Sequence, residues 1–562
     1  MFSSKALSLL ALLAIEMPFA AKAVNLTKMA VQTRFDLGSK GVNLMDGTVQ
    51  AGNGKMERMS WVSAEAKSRG YTANFAVSHY AWSEIRVRFV PDLDGVVELK
   101  LMGPWEEATP AQLYQEEVLW DKISVTGSSI TNGSFEQGMV GWSGGIVEAR
   151  EAALDGSSTA RTWHNRPLTT ALIVRGGMPV TLTLFAKAAV PEGFKEMRRL
   201  PRTSPAFAAA ARFRRGANLG NYLEAPPGQD WGMHYTEEDF ANIKKEGFDH
   251  VRLPIAWHHY AEGAPEFRLK SAIYDKVDFL VTNALKEGLN VMVNIHHFDA
   301  FTSDPASQTN KFYALWKQIA GHFQKAPTQV AFELLNEPKD KATTALLGPI
   351  YAEAIRVIRA SNPGRSIFLG PGKWNGIDEL PSLQLPDEEE NLIVTVHCYD
   401  PFYFTHQGAS WTGPDTAVKG ILFPGPPAKP LVPDFSLPLK AGVIDWIDRY
   451  NRESSQNNPS SPKAFRPKLQ RAREWSEYYG RPVHVGEFGA YVAADDESRA
   501  NFYREFRLAL DDCGLGWAVW DWKAGFAYWN QRQHRPMPGL SEALFGPISG
   551  NKRLRSVKDG PD

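Results

Sequence analysis

The second half of this chain repeats one pattern. From Arg212 onward, short apolar runs typical of buried strands alternate with amphipathic helical segments about eight times within roughly 340 residues. No glycine-rich phosphate-binding fingerprint follows the first run, so the pattern favours a closed (β/α)8 barrel over an open nucleotide-binding sheet. The strand candidates are Phe213–Gly220, His250–Ile255, Val291–His296, Val330–Leu335, Ser366–Leu369, Leu392–His397, Val483–Gly486 and Gly516–Trp520, with helices such as Thr236–Glu246 and Ile273–Lys286 between them.

Two of these runs end in a glutamate. The fourth run ends at Asn336-Glu337-Pro338, and the seventh ends at Gly486-Glu487. Glutamate suits a strand poorly and is costly to desolvate, so its position predicts that its chemistry is needed there. In a parallel barrel the strand ends meet at one mouth, where two carboxylates suit cleavage of a glycosidic bond, one as proton donor and the other as nucleophile.

Other polar and aromatic residues end further predicted strands. Each alone has a structural explanation, such as a salt-bridged arginine or a core histidine, but their coincidence at one mouth predicts a catalytic site. Neighbouring histidines on a strand point to opposite faces, and no His-Glu-x-x-His spacing occurs, so we expect no metal site and no cofactor. These residues are Arg252 on the second strand, His296 and His297 on the third, His397 and Tyr399 on the sixth, and Trp520 on the eighth.

The charge balance excludes several classes of partner. With 62 basic and 63 acidic side chains, the chain has no electrostatic reason to bind nucleic acid or an anionic membrane surface, and a neutral polymer fits better. Its 562 residues exceed what one core usually organises, so we expect two domains.

Short motifs occur in a fixed order along the barrel region. Together they resemble glycoside hydrolase family 5, in the clan of retaining (β/α)8 glycosidases, and Pro401-Phe402 with Phe404–Ala409 and Trp411 is most similar to bacterial endoglucanases (cellulases). The resemblance covers about residues 210–550. The motifs are Gly216–Asn221 with Leu223–Pro226, Val251–Pro254, Asn294–His297, Asn336–Pro338, His397–Tyr399, Gly486–Gly489 and Trp517–Trp522.

The resemblance implies that Glu337 is the general acid/base and Glu487 the nucleophile. Retaining hydrolysis needs the two carboxyl groups about 5 Å apart, a distance that the ends of strands four and seven can reach across a narrow mouth. A nearby Arg252 would favour the ionised form of Glu487. Glu337 must hold its proton until the leaving oxygen needs it, so its pKa should be raised.

The same resemblance implies the supporting roles. Asp521 departs from the pattern because related endoglucanases often carry Glu there, and the long, proline-rich 402–462 segment should shape the cleft rim. In the implied roles, Asn336 binds the sugar 2-hydroxyl, Tyr399 holds Glu487, His397 positions the acid/base, His296 and His297 contact ring hydroxyls, Trp520 lies beneath the reacting sugar, Asn221 and Glu224 contact the next sugar on the non-reducing side, and Trp411 stacks one on the leaving side.

The first part of the chain has a different pattern of apolar and polar residues. Residues 24–190 show short alternating runs, including Ser83–Val90 and Gly95–Leu101, which predict an all-β sandwich. Asn132-Gly133-Ser134-Phe135-Glu136, followed by Gly141-Trp142, resembles the opening of jelly-roll carbohydrate-binding modules, with a spacer or stabilising domain as the alternative. Residues 191–208 predict a charged, proline-bounded linker, and the barrel domain is expected over residues 209–555.

The N-terminus predicts export. Lys5 precedes the apolar run Ala6–Ile15, and Ala21-Lys22-Ala23 fits a cleavage site, so residues 1–23 are expected to be a signal peptide of a secreted or periplasmic bacterial protein. No later run reaches the roughly 18 apolar residues of a membrane span. Cys398 and Cys513 give no disulfide framework, and we expect a monomer.

The sequence hypothesis is therefore a retaining endo-β-1,4-glucanase acting on β-glucan polysaccharides or oligosaccharides through a covalent glycosyl-enzyme intermediate. A β-mannanase, xyloglucanase or exo-β-glucosidase on the same scaffold stays open, and a non-catalytic carbohydrate-binding protein is the remaining alternative.

Overall fold

The computed structural model describes most of the chain. It covers residues 31–547, apart from 40, 52–54, 59, 64–68, 104, 110–111, 116, 150–152, 191–195, 435 and 456. The predicted signal peptide, residues 1–23, lies outside the described residues, as do 191–195 of the predicted linker. Within the described ranges, no helix is both long and apolar enough to cross a lipid bilayer.

Residues 31–188 form two antiparallel sheets that face each other. One sheet has the order β11-β14-β7-β1-β5-β4 and the other β12-β13-β10-β15-β6-β2-β3, and β8 pairs with β9 in a separate hairpin. The strands are β1 Val31–Ser39, β2 Leu44–Ala51, β3 Lys55–Arg58, β4 Ser60–Ser63, β5 Arg69–Val77, β6 Ser83–Pro91, β7 Gly95–Met102, β8 Trp105–Thr109, β9 Gln112–Gln115, β10 Val118–Thr126, β11 Ser143–Gly144, β12 Ile146–Ala149, β13 Ser158–Thr162, β14 Leu168–Val174 and β15 Val180–Ala188.

Alternation along these strands builds the sandwich core. In β7, buried Val97, Leu99 and Leu101 alternate with more exposed residues, and β15 shows the same pattern from Val180 to Ala188. Side chains from both sheets meet in one apolar cluster around the fully buried Trp120. The predicted N-terminal all-β sandwich is confirmed.

Eight parallel strands then close into a barrel in chain order, β16 to β23, with β16 pairing to β23. The predicted (β/α)8 barrel is confirmed, and the carboxyl ends of its strands form one mouth. A short hairpin of β24 and β25 follows. The strands are β16 Arg215–Asn218, β17 His250–Leu253, β18 Asn290–Asn294, β19 Val330–Glu333, β20 Ile367–Leu369, β21 Leu392–His397, β22 Val483–Phe488, β23 Gly516–Val519, β24 Trp529–Asn530 and β25 Arg535–Pro536.

Amphipathic helices cover the outside of the barrel. Helix α2 shows why these segments are helical: Thr236 and Asp239 form a reciprocal capping box at its start, and left-handed Gly247 ends it. The helical segments are α1 Pro205–Ala210, α2 Glu237–Glu246, α3 Ser271–Lys286, α4 Asp299–Ser303, α5 Pro305–His322, α6 Thr344–Arg359, α7 Gly372–Asn375 (a single turn with left-handed residues inside), α8 Phe402–Thr405, α9 Ala441–Arg452, α10 Arg466–Tyr479, α11 Asp496–Cys513 and α12 Leu540–Phe545.

The sandwich contacts the barrel on the side of helix α10. Tyr80 packs into the barrel's apolar cluster, and His79 Nε2 lies 2.7 Å from the Tyr479 hydroxyl. Arg198, in the part of the predicted linker that is described, pairs with Glu390 at 2.5 Å. Tyr479 is the last residue of α10, and Glu390 lies just before β21, so these contacts are at the amino ends of the barrel strands, away from the mouth. Both cysteines are free.

Candidate active site

A fully buried arginine organises the barrel mouth. Arg252 on β17 points inward, where its Nε and Nη2 donate to the two carboxylate oxygens of Glu333, each at 2.7 Å. Its Nη1 donates to Asn218 Oδ1 at 2.8 Å and Glu487 Oε1 at 2.7 Å, and its Nη2 donates to Asn336 Oδ1 at 2.6 Å. One guanidinium thereby links strand ends across the barrel, with its donors paired as a buried charge requires.

Glu487, near the end of β22, receives two strong hydrogen bonds. Arg252 donates to Oε1, and the Tyr399 hydroxyl donates to Oε2 at 2.9 Å. Burial raises the pKa of Glu487, while the neighbouring His397 and Arg252 and the Tyr399 hydrogen bond act against that rise. Donors on both oxygens stabilise the carboxylate form and fix its orientation.

Glu337 approaches the same space from the end of β19. Its Oε1 lies 2.8 Å from His397 Nδ1, and burial raises the pKa of its carboxyl group, against the opposing charges of His297, Arg252 and Lys339. A raised pKa favours the protonated form that a proton donor needs.

The two carboxyl groups face each other. One carboxylate oxygen of Glu337, one of Glu487 and a ring nitrogen of His397 all lie within 4.8 Å of one another. That spacing would also admit a metal ion, but Arg252 and Tyr399 already neutralise and bind Glu487, so we assign the cluster to acid–base chemistry. This distance is shorter than the roughly 6.5–9.5 Å that separates two carboxyl groups when a water molecule has to fit between one of them and the sugar.

Three residues of the mouth have left-handed backbone conformations. The φ angles are 63° at Asn221, 44° at His297 and 45° at Glu337. Side-chain-bearing residues adopt this region at a cost, and such positions cluster at functional sites. All three belong to the set that the sequence analysis selected.

The other predicted sugar contacts surround the carboxyl pair. Asn336 Nδ2 lies 3.4 Å from His297 Nδ1, which faces the open cleft, and buried His296 stacks parallel to Trp520 with ring centroids 5.6 Å apart. Glu224 is buried with Oε1 3.9 Å from His296 Nε2, and burial raises its pKa to about 8. Asn336 and His297 therefore lie beside Glu337, whereas His296, Trp520 and Glu224 form a neighbouring group.

Two exposed tryptophans stand at the rim. Trp411 is 59% exposed and packs its ring edge on Tyr491. Trp374 is 54% exposed, and its backbone N–H donates to the Pro338 carbonyl at 3.1 Å, so it stands beside the acid/base candidate. Asp521 is buried and accepts the Ala524 N–H at 2.6 Å, so its carboxylate holds a loop instead of lining the cleft.

Sequence reasoning missed three members of this site, namely Glu333, Asn218 and Trp374. Glu333 lies inside an apolar run, and its role follows only from its pairing with Arg252 across the barrel. An interior arginine without a neighbouring carboxylate in sequence was the signal that could have found it, because a buried charge needs a partner.

A parallel eight-stranded barrel whose mouth holds two facing carboxyl groups defines a barrel glycosidase by fold and by site. The sequence model described as Cellulase (glycosyl hydrolase family 5) matches residues 214–525, more than half of the chain. The chain therefore belongs to glycosyl hydrolase family 5. The match begins after the sandwich, which lies outside it.

Curated relatives and solved structures match a similar share of this chain. Endoglucanase H of Acetivibrio thermocellus is 27% identical over 57% of this chain and 31% of its own length, and Endoglucanase 3 of Fibrobacter succinogenes is 29% identical over 59% and 52%. This chain thus spans about half or less of those relatives. The crystal structure of endoglucanase Cel5A from Thermotoga maritima is 34% identical, covers 60% of this chain and 99% of its own, and has a TM-score of 0.53; it has also been crystallised with cellobiose and with mannotriose.

Proposed function

We propose that this protein is a retaining endo-β-1,4-glucanase. The observation that carries the proposal is the approach of a Glu337 and a Glu487 carboxylate oxygen to within 4.8 Å. Retaining glycosidases hold these groups about 5 Å apart, whereas inverting enzymes need a wider gap for a water molecule.

In the first step, Glu487 attacks the anomeric carbon while Glu337 gives its proton to the departing glycosidic oxygen. A glycosyl ester forms on Glu487, the glycosidic bond breaks, and the leaving sugar departs as an alcohol. Arg252 and Tyr399 hold Glu487 in line for the attack. Asn336, held by Arg252, presents its amide N–H to the sugar 2-hydroxyl, a contact that strengthens toward the transition state.

In the second step, the ester has removed the charge on Glu487, so the pKa of Glu337 no longer feels a neighbouring carboxylate. Glu337, now ionised, takes a proton from a water molecule that attacks the anomeric carbon. The sugar leaves with its original configuration, and both carboxyl groups return to their starting forms.

The aromatic residues set the direction of the bound chain. Trp520, stacked with His296, would lie beneath the reacting sugar, with Asn221 and Glu224 beyond it. Trp374 stands next to Pro338, on the side of the acid/base, so with Trp411 it would pack against sugars of the leaving group. A cleft with platforms on both sides of the carboxyl pair fits cleavage inside a chain.

The substrate class rests on relatives that are named endoglucanases. Because the Thermotoga maritima protein was crystallised with mannotriose as well as cellobiose, a β-mannanase activity is the alternative to test first, followed by xyloglucanase and exo-β-glucosidase activity. A non-catalytic carbohydrate-binding protein is disfavoured by the two facing carboxyl groups.

A substrate panel with stereochemical analysis tests this function. Purified protein is incubated with carboxymethyl cellulose, mannan, xyloglucan and cello-oligosaccharides, and the anomeric form of the first product is followed by NMR. We expect a rapid fall in the viscosity of the cellulose derivative and initial release of the β-anomer. Release of the α-anomer would exclude the retaining mechanism, and glucose as the sole early product would indicate exo action.

We further propose that the protein is exported and monomeric, with the sandwich and the barrel as separate domains joined near residues 191–208. Sequencing of the mature N-terminus tests the predicted cleavage after Ala23. Sedimentation of the purified protein tests the monomer, and limited proteolysis tests the domain division.

A further inference from the structure

One ring nitrogen of His397 contacts Glu337, and the other is buried beside Gly486. Nδ1 lies 2.8 Å from Glu337 Oε1, whereas the buried Nε2 has no hydrogen-bond partner among the protein atoms that the structure describes. The tautomer of a neutral histidine is set by the partner of each nitrogen. Whatever faces Nε2 therefore decides whether Nδ1 donates to Glu337 or accepts from it.

Thr395 supplies the polar group that faces Nε2. It lies two residues before His397 on β21, is fully buried, and its Oγ1 also lacks a partner among the described protein atoms. A Cβ on Gly486 would lie 2.5 Å from Thr395 Oγ1 and 3.1 Å from His397 Nε2. Both atoms thus face the same small space, which only a glycine at position 486 keeps open.

A further buried polar side chain, Asn375, lies near the backbone carbonyl of Thr395. The Asn375 side-chain amide is fully buried and unpaired among the described residues, and a Cβ on Gly370 would touch its Nδ2 and lie 2.6 Å from the Thr395 carbonyl oxygen. Buried polar atoms that lack protein partners are commonly bridged by ordered water. A bridging water would satisfy the Thr395 hydroxyl and His397 Nε2 together, because both face the space beside Gly486.

Within the proposed function, we propose that Thr395 is a positioning residue for the acid/base. A bound water molecule accepts the Nε2–H of His397 and donates to the Thr395 hydroxyl, which leaves Nδ1 as an acceptor for the proton of Glu337. Glu337 is then held in its protonated form, ready to donate to the leaving oxygen. Loss of the Thr395 hydroxyl frees His397 to carry its proton on Nδ1 and to donate to the Glu337 carboxylate, which favours the ionised form.

The charged groups around the pair do not change in this scheme. Glu487, Arg252 and Glu333 face His397, and Glu487, Arg252, Glu333, His297 and Lys339 face Glu337. Burial lowers the pKa of His397 to about 4, so the ring is neutral over the working range and only its tautomer is at issue. A change confined to Thr395 therefore reports the tautomer.

The test compares Thr395→Val, which keeps the shape and loses the hydroxyl, with Thr395→Ser, which keeps the hydroxyl. In Thr395→Val we expect the alkaline limb of the kcat/KM profile on cello-oligosaccharides to move down by about one pH unit, because Glu337 ionises more readily. Thr395→Ser should retain the wild-type limb. If Thr395→Val fails to fold, Thr395→Cys, whose thiol is a weak acceptor, should shift the limb in the same direction.

A second substrate separates positioning from general damage. A dinitrophenyl cellobioside has a leaving group that needs no proton, so its bond-cleavage step in Thr395→Val should keep the wild-type rate. An unmoved alkaline limb, or an equal loss on both substrates, would overturn the assignment of Thr395. Failure of the proposed function is distinguishable: Glu337→Gln would then still hydrolyse unactivated oligosaccharides at the wild-type rate.

Discussion

The sandwich and the barrel mouth bury opposite kinds of side chain. The sandwich core is apolar, with Leu99, Trp120 and Leu184 fully buried among aliphatic and aromatic neighbours. The mouth buries Arg252 and Glu333 at zero exposure. Apolar burial stabilises a fold, whereas buried charges contribute little net stability and are strongly destabilising when one partner is lost. The difference distinguishes a region built for stability from one built for chemistry.

In the sandwich, the motif that resembles carbohydrate-binding modules has a structural role. Phe135 and Trp142, the aromatic residues of the motif that resembles carbohydrate-binding modules, pack together in its core with ring centroids 5.4 Å apart. Asn132 Nδ2 donates to the Gly138 carbonyl, and the Glu136 carboxylate accepts the backbone N–H groups of two serines. The motif thus holds a turn and fills a core. Carbohydrate binding by the sandwich stays a prediction, and its surface would have to come from other residues.

The largest expected effect lies at the carboxyl pair. Glu487→Ala and Glu337→Gln should each lower the turnover of cello-oligosaccharides by at least about a thousandfold, since each removes a group that bonds or transfers a proton in the transition state. Circular dichroism and thermal unfolding should show an intact fold. Substantial activity in Glu487→Ala would refute its assignment as the nucleophile.

Glu333→Gln tests whether the buried Arg252–Glu333 ion pair supports both the activity and the stability of the barrel. The substitution leaves Arg252 without its bidentate carboxylate, so we expect the free energy of barrel unfolding to fall by about 3 kcal/mol. Turnover should fall as well, because Arg252 then loses the orientation in which it holds Glu487 and Asn336. Chemical denaturation and kcat at saturating substrate measure the two effects. Wild-type activity alongside reduced stability would make Glu333 purely structural.

Leu99→Ala is the converse test in the sandwich. Leu99 is fully buried, so its truncation should lower the free energy of unfolding by about 3 kcal/mol through lost burial and the cavity that remains. Turnover per folded molecule should stay at the wild-type value, since the sandwich contacts the barrel away from its mouth. A kcat lower than that of the wild type, measured at a temperature at which the variant is still folded, would contradict this separation of stability from activity.

Strand positions could be predicted from the sequence because every barrel strand lies in an apolar run. The runs overestimate some strands: Phe213–Gly220 is predicted, and Arg215–Asn218 is observed. Phe213 and Arg214 precede the strand, and Leu219 and Gly220 belong to the loop after it, which also carries Asn221. Apolar character continues into the mouth, so hydrophobicity alone does not show where the ladder stops.

The roles of individual site residues depend on geometry that the sequence does not encode locally. The spacing of strand ends brings Glu337 and Glu487 to one mouth, which the pattern predicts. Trp374 becomes accessible because Lys373, Trp374 and Asn375 all adopt left-handed backbone conformations between Gly372 and Gly376. No residue type in that stretch signals three such conformations in succession, since glycine normally occupies them. Its position at the rim follows only from the folded loop.

The smallest expected effect concerns how the stability of the barrel depends on pH. Burial raises the pKa of Glu224 from 4.5 to about 8, so the folded protein keeps this proton over a range in which the unfolded chain releases it. The resulting stability is complete below pH 4.5 and is lost as the pH rises through about 8. Glu224→Gln removes this titration, so the free energy of unfolding should fall less steeply with pH than in the wild type across that window. Urea denaturation at several pH values measures the slope. Glu262→Gln, at an exposed position, is the matched control and should keep the wild-type slope. If the pH dependence of the free energy of unfolding is the same in Glu224→Gln as in the wild type, the Glu224 carboxyl group is ionised in the folded barrel. Glu224 would then be a further buried charge at the mouth, in contrast to the apolar core of the sandwich.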